Sequence, residues 1–322
     1  MSIITNNLFD KVLVEPLQQN ANRLYIVSGY ATALMATRHI QYVKANYTNR
    51  EFSIKLIVGM CPQDGIEFRN HYSFNQLQSR MFDVDFECRY LAKRPPVHSK
   101  IYAWFNNDIP IVGFVGSANY TQNAFSKSMR EIVGHANPTD CFDYYKSIEG
   151  DTIMCNDSEV TSYIEIYRNE STLKKSTESE TATTFKTTGL NKVTLTLLDS
   201  KTNDTPKKSG LNWGQRGHRE PNQAYINIPA EIGRSGFFPD RYVNFTVITD
   251  DNKQFICVRA QDGGKGLHTT LNNSLLGEYF RNRLDLPNGV FVTKNHLLHY
   301  GRTDVDFYKI DDETYYMDFS VH

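Results

Sequence analysis

At 322 residues the chain is long enough to bury two cores of ordinary domain size. Apolar residues make up 40% and charged residues 22%, which excludes disordered and membrane-spanning classes, and no apolar run approaches the ~18 residues needed to cross a bilayer. The net charge of −1 offers no global attraction to a polyanion, so a nucleic-acid site has to be a local patch.

Met1 to Pro16 lacks the basic start and apolar stretch of a secretory signal and carries Asp10 and Glu15. Further along, strand-like and helix-like segments alternate. Leu24 to Tyr30 reads as a strand, Ala31 to Asn46 as a helix, Phe52 to Met60 as a strand and Ile66 to Met81 as a helix. Three more strands follow over Val84 to Leu91, Val97 to Phe105 and Ile111 to Val115, then a helix over Thr139 to Ser147. Such alternation predicts a layered α/β domain over residues 1–167. Ten of the 22 residues from Arg168 to Gly189 are Ser or Thr and Phe185 is the only aromatic, which predicts a flexible or extended linker over 168–189. Over 190–322 the period shortens. Val193 to Leu197, Ala224 to Ile228, Asn244 to Thr249 and Gln254 to Arg259 read as strands, with a hairpin turn over Thr249 to Lys253 and a helix over Asn273 to Leu284. This predicts a mostly β domain of barrel or sandwich type. The acidic tail from Asp304 to Asp318, interleaved with tyrosines, is expected to pack the barrel as a strand pair. Cys61, Cys88, Cys141, Cys155 and Cys257 are odd in number and never form a C-x-x-C pair, so they read as buried thiols of a cytoplasmic protein, with neither disulfides nor a structural zinc site.

The chemistry concentrates between His98 and Glu131. On an alternating strand His98 and Lys100 share a face. Gly116-Ser117-Ala118-Asn119 ends the next strand in small residues whose hydroxyl and amide donors can crowd an anion. An imidazole can attack phosphorus, Lys100, Ser117 and Asn119 can stabilise charge on the non-bridging oxygens, and Glu131 can hold an imidazole N–H. The set therefore suits phosphoryl transfer without a metal or other cofactor. The pairing Pro239-Asp240 with Asp251-x-Lys253 matches a metal-dependent nuclease pattern by letter. It falls in a predicted hairpin turn, where Asp and Asn occur for turn reasons.

His98-x-Lys100 followed by Gly116-Ser117-x-Asn119, with Glu131 beyond, resembles the phospholipase D superfamily. The family's aspartate is replaced by Phe105, with Asp108 a little further on. The resemblance implies a site built from two such motifs. This chain has one, so a homodimer is implied, in which one His98 becomes phosphohistidine and the other protonates the leaving group.

In the second half, Lys201 to Arg219 holds five basic residues against one acidic one. Arg216, Arg219, Asn212, Gln215, Asn222 and Gln223 are of the types that read base edges, Trp213 lies among them, and Lys207 and Lys208 suit phosphates. A second polar stretch, Arg259 to His268, includes Gln261, Asp262 and Lys265 on a glycine-rich loop. Leu211 to Arg216, Ile256 to Asp262, Leu276 to Phe280 and Tyr300 to Asp304 resemble the C-terminal domain of NgoFVII-type restriction endonucleases. That family joins a phospholipase-D-type nuclease to a B-three-like DNA-reading pseudobarrel. The resemblance implies two arms in the major groove, over Asn212 to Gln223 and Arg259 to His268. It also implies a type II restriction endonuclease acting on double-stranded DNA without a metal. Rival readings are a phosphatidyl hydrolase, for which no membrane approach is visible, and a DNA-binding regulator with a decayed nuclease half. In a further variant, this chain is one subunit served by a separate ATP-driven partner, since no Walker-type motif is present.

Overall fold

The structure, a computed structural model, describes residues 3–48, 50–79, 85–126, 129–168, 173–175, 183–185 and 187–321. The chain divides into two compact units, Met1–Arg168 and Asn169–His322.

The first unit is built on an eight-stranded sheet. In chain order its elements are β1 (Ile3–Ile4), β2 (Arg23–Ser28), α1 (Ala33–Asn46), β3 (Ser53–Val58), β4 (Ile66–Glu67), α2 (Phe68–Gln78), β5 (Asp85–Leu91), β6 (Lys100–Asn106), β7 (Ile109–Gly116), β8 (Val133–Ala136), α3 (Pro138–Glu149), β9 (Thr152–Met154) and β10 (Ile166–Tyr167). The sheet runs β1-β8-β7-β6-β2-β3-β5-β9, while β4 and β10 form a separate parallel pair. Strands β2, β3 and β5 are parallel, and β6 is antiparallel to β2, β7 to β6 and β8 to β7. Because β2 and β3 are covered on both faces, their residues form nearly continuous apolar runs rather than a polar alternation. Helix α3 covers one face, where Cys141 and Tyr145 pack on Val27, Ile57, Ile101, Ala103 and Phe105.

On the other face a buried polar chain joins helix to sheet. His39 of α1 bonds the Leu13 carbonyl through Nε2 at 3.1 Å, and its Nδ1 lies 3.0 Å from the Tyr120 hydroxyl. A carbonyl only accepts, so Nε2 carries the proton and Nδ1 accepts from Tyr120. Trp104 Nε1 donates to the Val12 carbonyl at 2.8 Å, so two ring donors satisfy the π-helical stretch Phe9–Val14.

The helix expected from Ile66 starts later, at Phe68. Glu67 turns its carboxylate onto the N–H groups of Arg69 and Asn70, at 2.8 and 3.0 Å, and so caps α2, which frees Ile66 and Glu67 to pair as β4. Residues 80–84, including the expected helix end at Met81 and the strand start at Val84, lie outside the described residues.

Within the stretch read as a linker, β11 (Leu173–Lys175) and β12 (Thr183–Phe185) pair antiparallel, a ribbon that its composition did not predict. The intervening residues lie outside the described ones. The second unit continues with β13 (Lys192–Thr196), β14 (Ile226–Asn227), β15 (Asn244–Thr249), β16 (Gln254–Ala260), β17 (Gly266–Thr269), α4 (Leu275–Arg283), α5 (Lys294–Tyr300), β18 (Asp304–Lys309) and β19 (Thr314–Asp318). The sheet order is β13-β18-β19-β15-β16-β17-β14, and its two end strands, β13 and β14, approach each other to give a nearly closed barrel. Its core gathers Leu195, Phe245, Leu267, Phe307, Tyr315 and Met317 with Phe280 of α4 and Leu297 of α5. The acidic tail does form the expected strand pair. Arg302 draws its carboxylates together, reaching Asp304 at 3.0 Å, Asp306 at 2.6 Å and Asp318 at 3.5 Å.

All five cysteines are free and buried, and no helix among the described residues is long and apolar enough to cross a membrane.

Candidate active site

The topology gathers several strand ends at one end of the sheet. β2 and β3 finish there at Ser28 and Val58, β6 begins at Lys100, β7 finishes at Gly116 and β8 begins at Val133. The carboxyl ends of parallel strands are where α/β folds leave a crevice, and the residues between His98 and Glu131 fall at that end.

Lys100 pairs with Ser28 across β6 and β2. Its side chain is buried, at 5% exposure, and the ammonium donates to the His98 carbonyl oxygen at 2.6 Å. The same nitrogen lies 3.0 Å from His98 Nδ1 and 3.1 Å from Nε2, so it can donate to whichever ring nitrogen carries the lone pair. Burial holds the Lys100 ammonium below its ordinary range, partly offset by the charge of Glu131. His98 is exposed and sits just before β6, so the strand expected from Val97 starts three residues later. Val97 docks by donating to the Gly59 carbonyl at 2.9 Å; a Cβ at Gly59 would stand 2.1 Å from the Val97 oxygen, so that position admits only glycine.

Asn119 is turned by the backbone around it. Its Oδ1 accepts the Tyr30 N–H at 3.1 Å and lies 3.4 Å from the Ser28 hydroxyl, so its amide NH2 is the donor face left for a ligand. The Ser28 hydroxyl donates to the Tyr30 carbonyl at 2.6 Å and accepts the Tyr120 N–H at 2.9 Å. The loops after β2 and β7 are thereby laced together. Ser117 donates to the Glu131 carboxylate and accepts the Ile132 N–H at 3.0 Å. A Cβ at Gly116 would meet the Ile132 oxygen at 2.1 Å, so glycine there permits the close approach that joins Ser117 to Glu131. The hydrogen bond of Glu131 thus goes to Ser117, whereas the ring of His98 has Lys100 beside it.

Three residues that the sequence reading did not single out complete this frame: Ser28, Tyr30 and Asp64. The Tyr30 hydroxyl donates to Asp64 at 2.5 Å, a bond that raises the phenol above its ordinary range, and its ring stands edge-on to His98 with centroids 6.0 Å apart. A signal was present, because the residues just beyond a buried parallel strand are where such sites gather.

In the second unit the residues expected to read DNA divide into two sets. Asn212 is fully buried, donates to the carbonyls of Pro206 and Val292 at 3.0 and 2.8 Å, and accepts the Val292 N–H at 2.8 Å. Asn222 is buried and accepts the Gly289 N–H at 2.7 Å. Arg259 is buried, with its guanidinium on the carbonyls of Gly264, Pro239 and Gly233 at 3.2, 3.0 and 2.9 Å. His268 is buried against the Thr269 carbonyl at 2.9 Å, and burial lowers its basicity. These four are buried and bonded within the fold, which sets them apart from the exposed residues of the same two stretches. Gln215 is half-committed, donating to the carbonyls of Pro221 and Gly289 at 3.2 and 3.0 Å.

Lys207, Lys208, Arg216, Arg219, Asp262 and Lys265 are exposed, and Trp213, Gln223 and Gln261 are half-buried. Arg219 lies over the Trp213 ring at 4.2 Å and donates to Gln223 Oε1 at 2.8 Å, while Arg216 donates to the Lys208 carbonyl at 2.6 Å. The backbone at Gln261 is left-handed, with φ of 66°, and Gly263 and Gly264 follow at 73° and 68°, giving the tight loop the glycines implied. The Asp251-x-Lys253 pattern is a turn: Thr249 bonds Asp251 and accepts the Lys253 N–H at 2.9 Å, and Asp240 is exposed.

The model of the NgoFVII restriction endonuclease N-terminal PLD domain matches residues 6–162, and that of the NgoFVII C-terminal B3-like DNA-binding domain matches residues 185–311. No curated protein matches the chain. Among solved structures, the chain is similar to the phospholipase D family member Nuc from Salmonella typhimurium, at 14% identity over 48% of this chain and 97% of that one, with a TM-score of 0.36. NucT from Helicobacter pylori gives 15% identity over 48% and 97%, with a TM-score of 0.31. Polyphosphate kinase from Porphyromonas gingivalis gives 15% identity over 53% and 26%, with a TM-score of 0.31.

Proposed function

The chain belongs to the NgoFVII restriction endonuclease family, a DNA nuclease with a PLD domain and a B3-like DNA-binding domain, and on that premise we propose that it cuts double-stranded DNA at a specific sequence through a covalent phosphohistidine on His98. The observation that carries this reading is the exposed imidazole of His98 beside the buried ammonium of Lys100, at one sheet end with Ser117, Asn119 and Glu131. Of the two carboxylates at the site, Glu131 is engaged by Ser117 and Asp64 by the Tyr30 hydroxyl, whereas catalytic divalent ions are ordinarily held by several oxygen ligands.

In this reading a ring nitrogen of His98 forms a bond to phosphorus, the bond to the leaving oxygen breaks, and a proton from His98 of a second copy goes to that oxygen. Lys100 and the amide of Asn119 donate to the non-bridging oxygens as charge builds there. Water then attacks phosphorus, the N–P bond breaks, and the water's proton returns to the second imidazole. A homodimer follows, because each chain carries one such set. In the second unit, Arg219, Gln223 and Arg216 are the base-reading candidates, and Lys207, Lys208 and Lys265 meet phosphates.

Two displacements at phosphorus leave its configuration unchanged overall. The test is cleavage in EDTA of a duplex with a chiral phosphorothioate at the scissile bond, hydrolysed in isotopically labelled water. Net retention is expected. Net inversion, or activity lost in EDTA and restored by magnesium, would overturn the histidine mechanism.

A further inference from the structure

We propose that Tyr30 is a positioning residue for this reaction, fixing both the imidazole of His98 and the amide of Asn119. The inference rests on the reading of His98 as nucleophile. Tyr30 is 42% exposed, yet each of its polar groups is committed. Its hydroxyl is held by Asp64 at 2.5 Å, its N–H by Asn119 Oδ1 at 3.1 Å, and its carbonyl by the Ser28 hydroxyl at 2.6 Å. A surface tyrosine with a free hydroxyl would sample several rotamers; this one is tied at its tip and at its backbone. Its ring meets His98 edge-on, at an interplanar angle of 81°.

The backbone at residue 29 completes the seat. A Cβ there would stand 3.1 Å from His98 Cδ2 and 3.4 Å from its Cα, so the histidine lies directly against Gly29. The Gly29 carbonyl accepts the Met60 N–H at 2.9 Å, and the Met60 carbonyl accepts the Asp64 N–H at 3.0 Å, which ties the Asp64 anchor to the same loop. On the far side, Asn70 accepts the Ala33 N–H and donates to the Ala31 carbonyl, both at 2.8 Å. Tyr30 therefore transmits the rigidity of two loops to the two side chains that have to face the scissile phosphate.

The experiment compares Tyr30→Ala, Tyr30→Phe, Asp64→Asn and Tyr30→Phe/Asp64→Asn with the parent chain, measuring single-turnover cutting at saturating DNA, DNA affinity and melting temperature. Loss of the ring is expected to slow cutting by roughly 10–100-fold, the scale of an ångström-sized misplacement, with DNA affinity unchanged. Phenylalanine keeps the ring and is expected to recover most of that loss. Asp64→Asn keeps a weaker, uncharged acceptor for the Tyr30 hydroxyl, so it should slow cutting no more than Tyr30→Phe, and the double variant should be no slower than Tyr30→Phe alone, because the two changes act on one contact. Should Tyr30→Ala fail to fold, the last three variants carry the test. Parent-like rates in Tyr30→Ala, or multiplied losses in the double variant, would overturn the proposal. His98→Ala is run alongside. If it still cuts, the reading of the site itself has failed; if it is inactive while Tyr30→Ala is parent-like, only the role of Tyr30 has failed.

Discussion

Lys100 is buried while His98, two residues before it, is exposed, and the lysine ammonium donates to the histidine's own carbonyl at 2.6 Å. The charge is thus held at the end of the sheet, at some cost in solvation. Lys100→Met is expected to reduce cutting by about 10²–10³-fold, as for loss of one preorganised donor to a developing charge. Its melting temperature should not fall, because the change removes a partly desolvated cation whose burial already disfavours its charged form. Thermal melts and single-turnover rates on the same preparations check both halves, and a collapsed melt would make Lys100 a structural residue.

His98→Ala should abolish cutting and leave specific DNA binding nearly intact, since the DNA-binding domain is the other unit. With one strand cut at a time, a nicked plasmid should appear before the linear product in the parent chain. Gel-shift and plasmid time courses read this out; loss of specific binding in His98→Ala would argue against the division of labour.

His39 sets an acid limit on stability. Burial lowers its pKa from 6.5 to about 3, so the folded chain keeps it neutral where the unfolded chain protonates it. In that window the unfolded state binds more protons, so stability falls as pH drops from 6.5 toward 3. At ~1.4 kcal/mol for each pH unit the contribution reaches several kcal/mol at most. His39→Gln should be less stable near neutrality but flatter with pH, which urea midpoints at about pH 7 and about pH 4.5 would reveal. Equal slopes for both proteins would remove His39 as the cause.

Arg259 and Arg219 should fail in opposite ways. Arg259→Ala leaves three carbonyls without their buried donor and is expected to cost roughly 2–4 kcal/mol of stability. Arg219→Ala should leave the melt unchanged and weaken specific binding by about 1–3 kcal/mol if it reads a guanine. Binding across single-base substitutions of the recognition site, together with melts, separates them.

Lys207→Ala and Lys208→Ala should weaken specific and random DNA alike. Each is expected to lower the slope of log affinity against log salt by about 0.9, the signature of one released counterion. An unchanged slope would place these exposed lysines away from the phosphates.

What was legible in the sequence followed from periodicity and from chemical type. The buried runs of β2, β3 and β15 announce themselves as short, nearly continuous β-rich stretches, and the order His98, Lys100, Ser117, Asn119 does so because phosphoryl chemistry needs few residue types. Helix α5 went unread because its cap pairs Thr293 with His296, where a capping box usually shows Glu or Gln. The buried members of the expected reading stretches show a different limit. Asn212 and Arg259 have the side chains that suit base edges, but the same donors suit orphaned carbonyls of an irregular loop, and type alone does not separate the two uses. The position of Tyr30 just past a buried parallel strand was a signal, but its pairing with Asp64 could not be read, because the two are joined by a contact between residues 34 apart in sequence.

The sheet order of the second unit also bears on how the protein is made. Strands β18 and β19 are inserted between β13 and β15, so β13 has no ladder partner until Asp304 to Lys309 exist. On a ribosome, the first unit can finish folding while the barrel still lacks its middle. The PLD domain is thus assembled ahead of the DNA-binding domain, and the interval between them is set by the time taken to synthesise the chain from residue 169 to 318 and close its last two described strands.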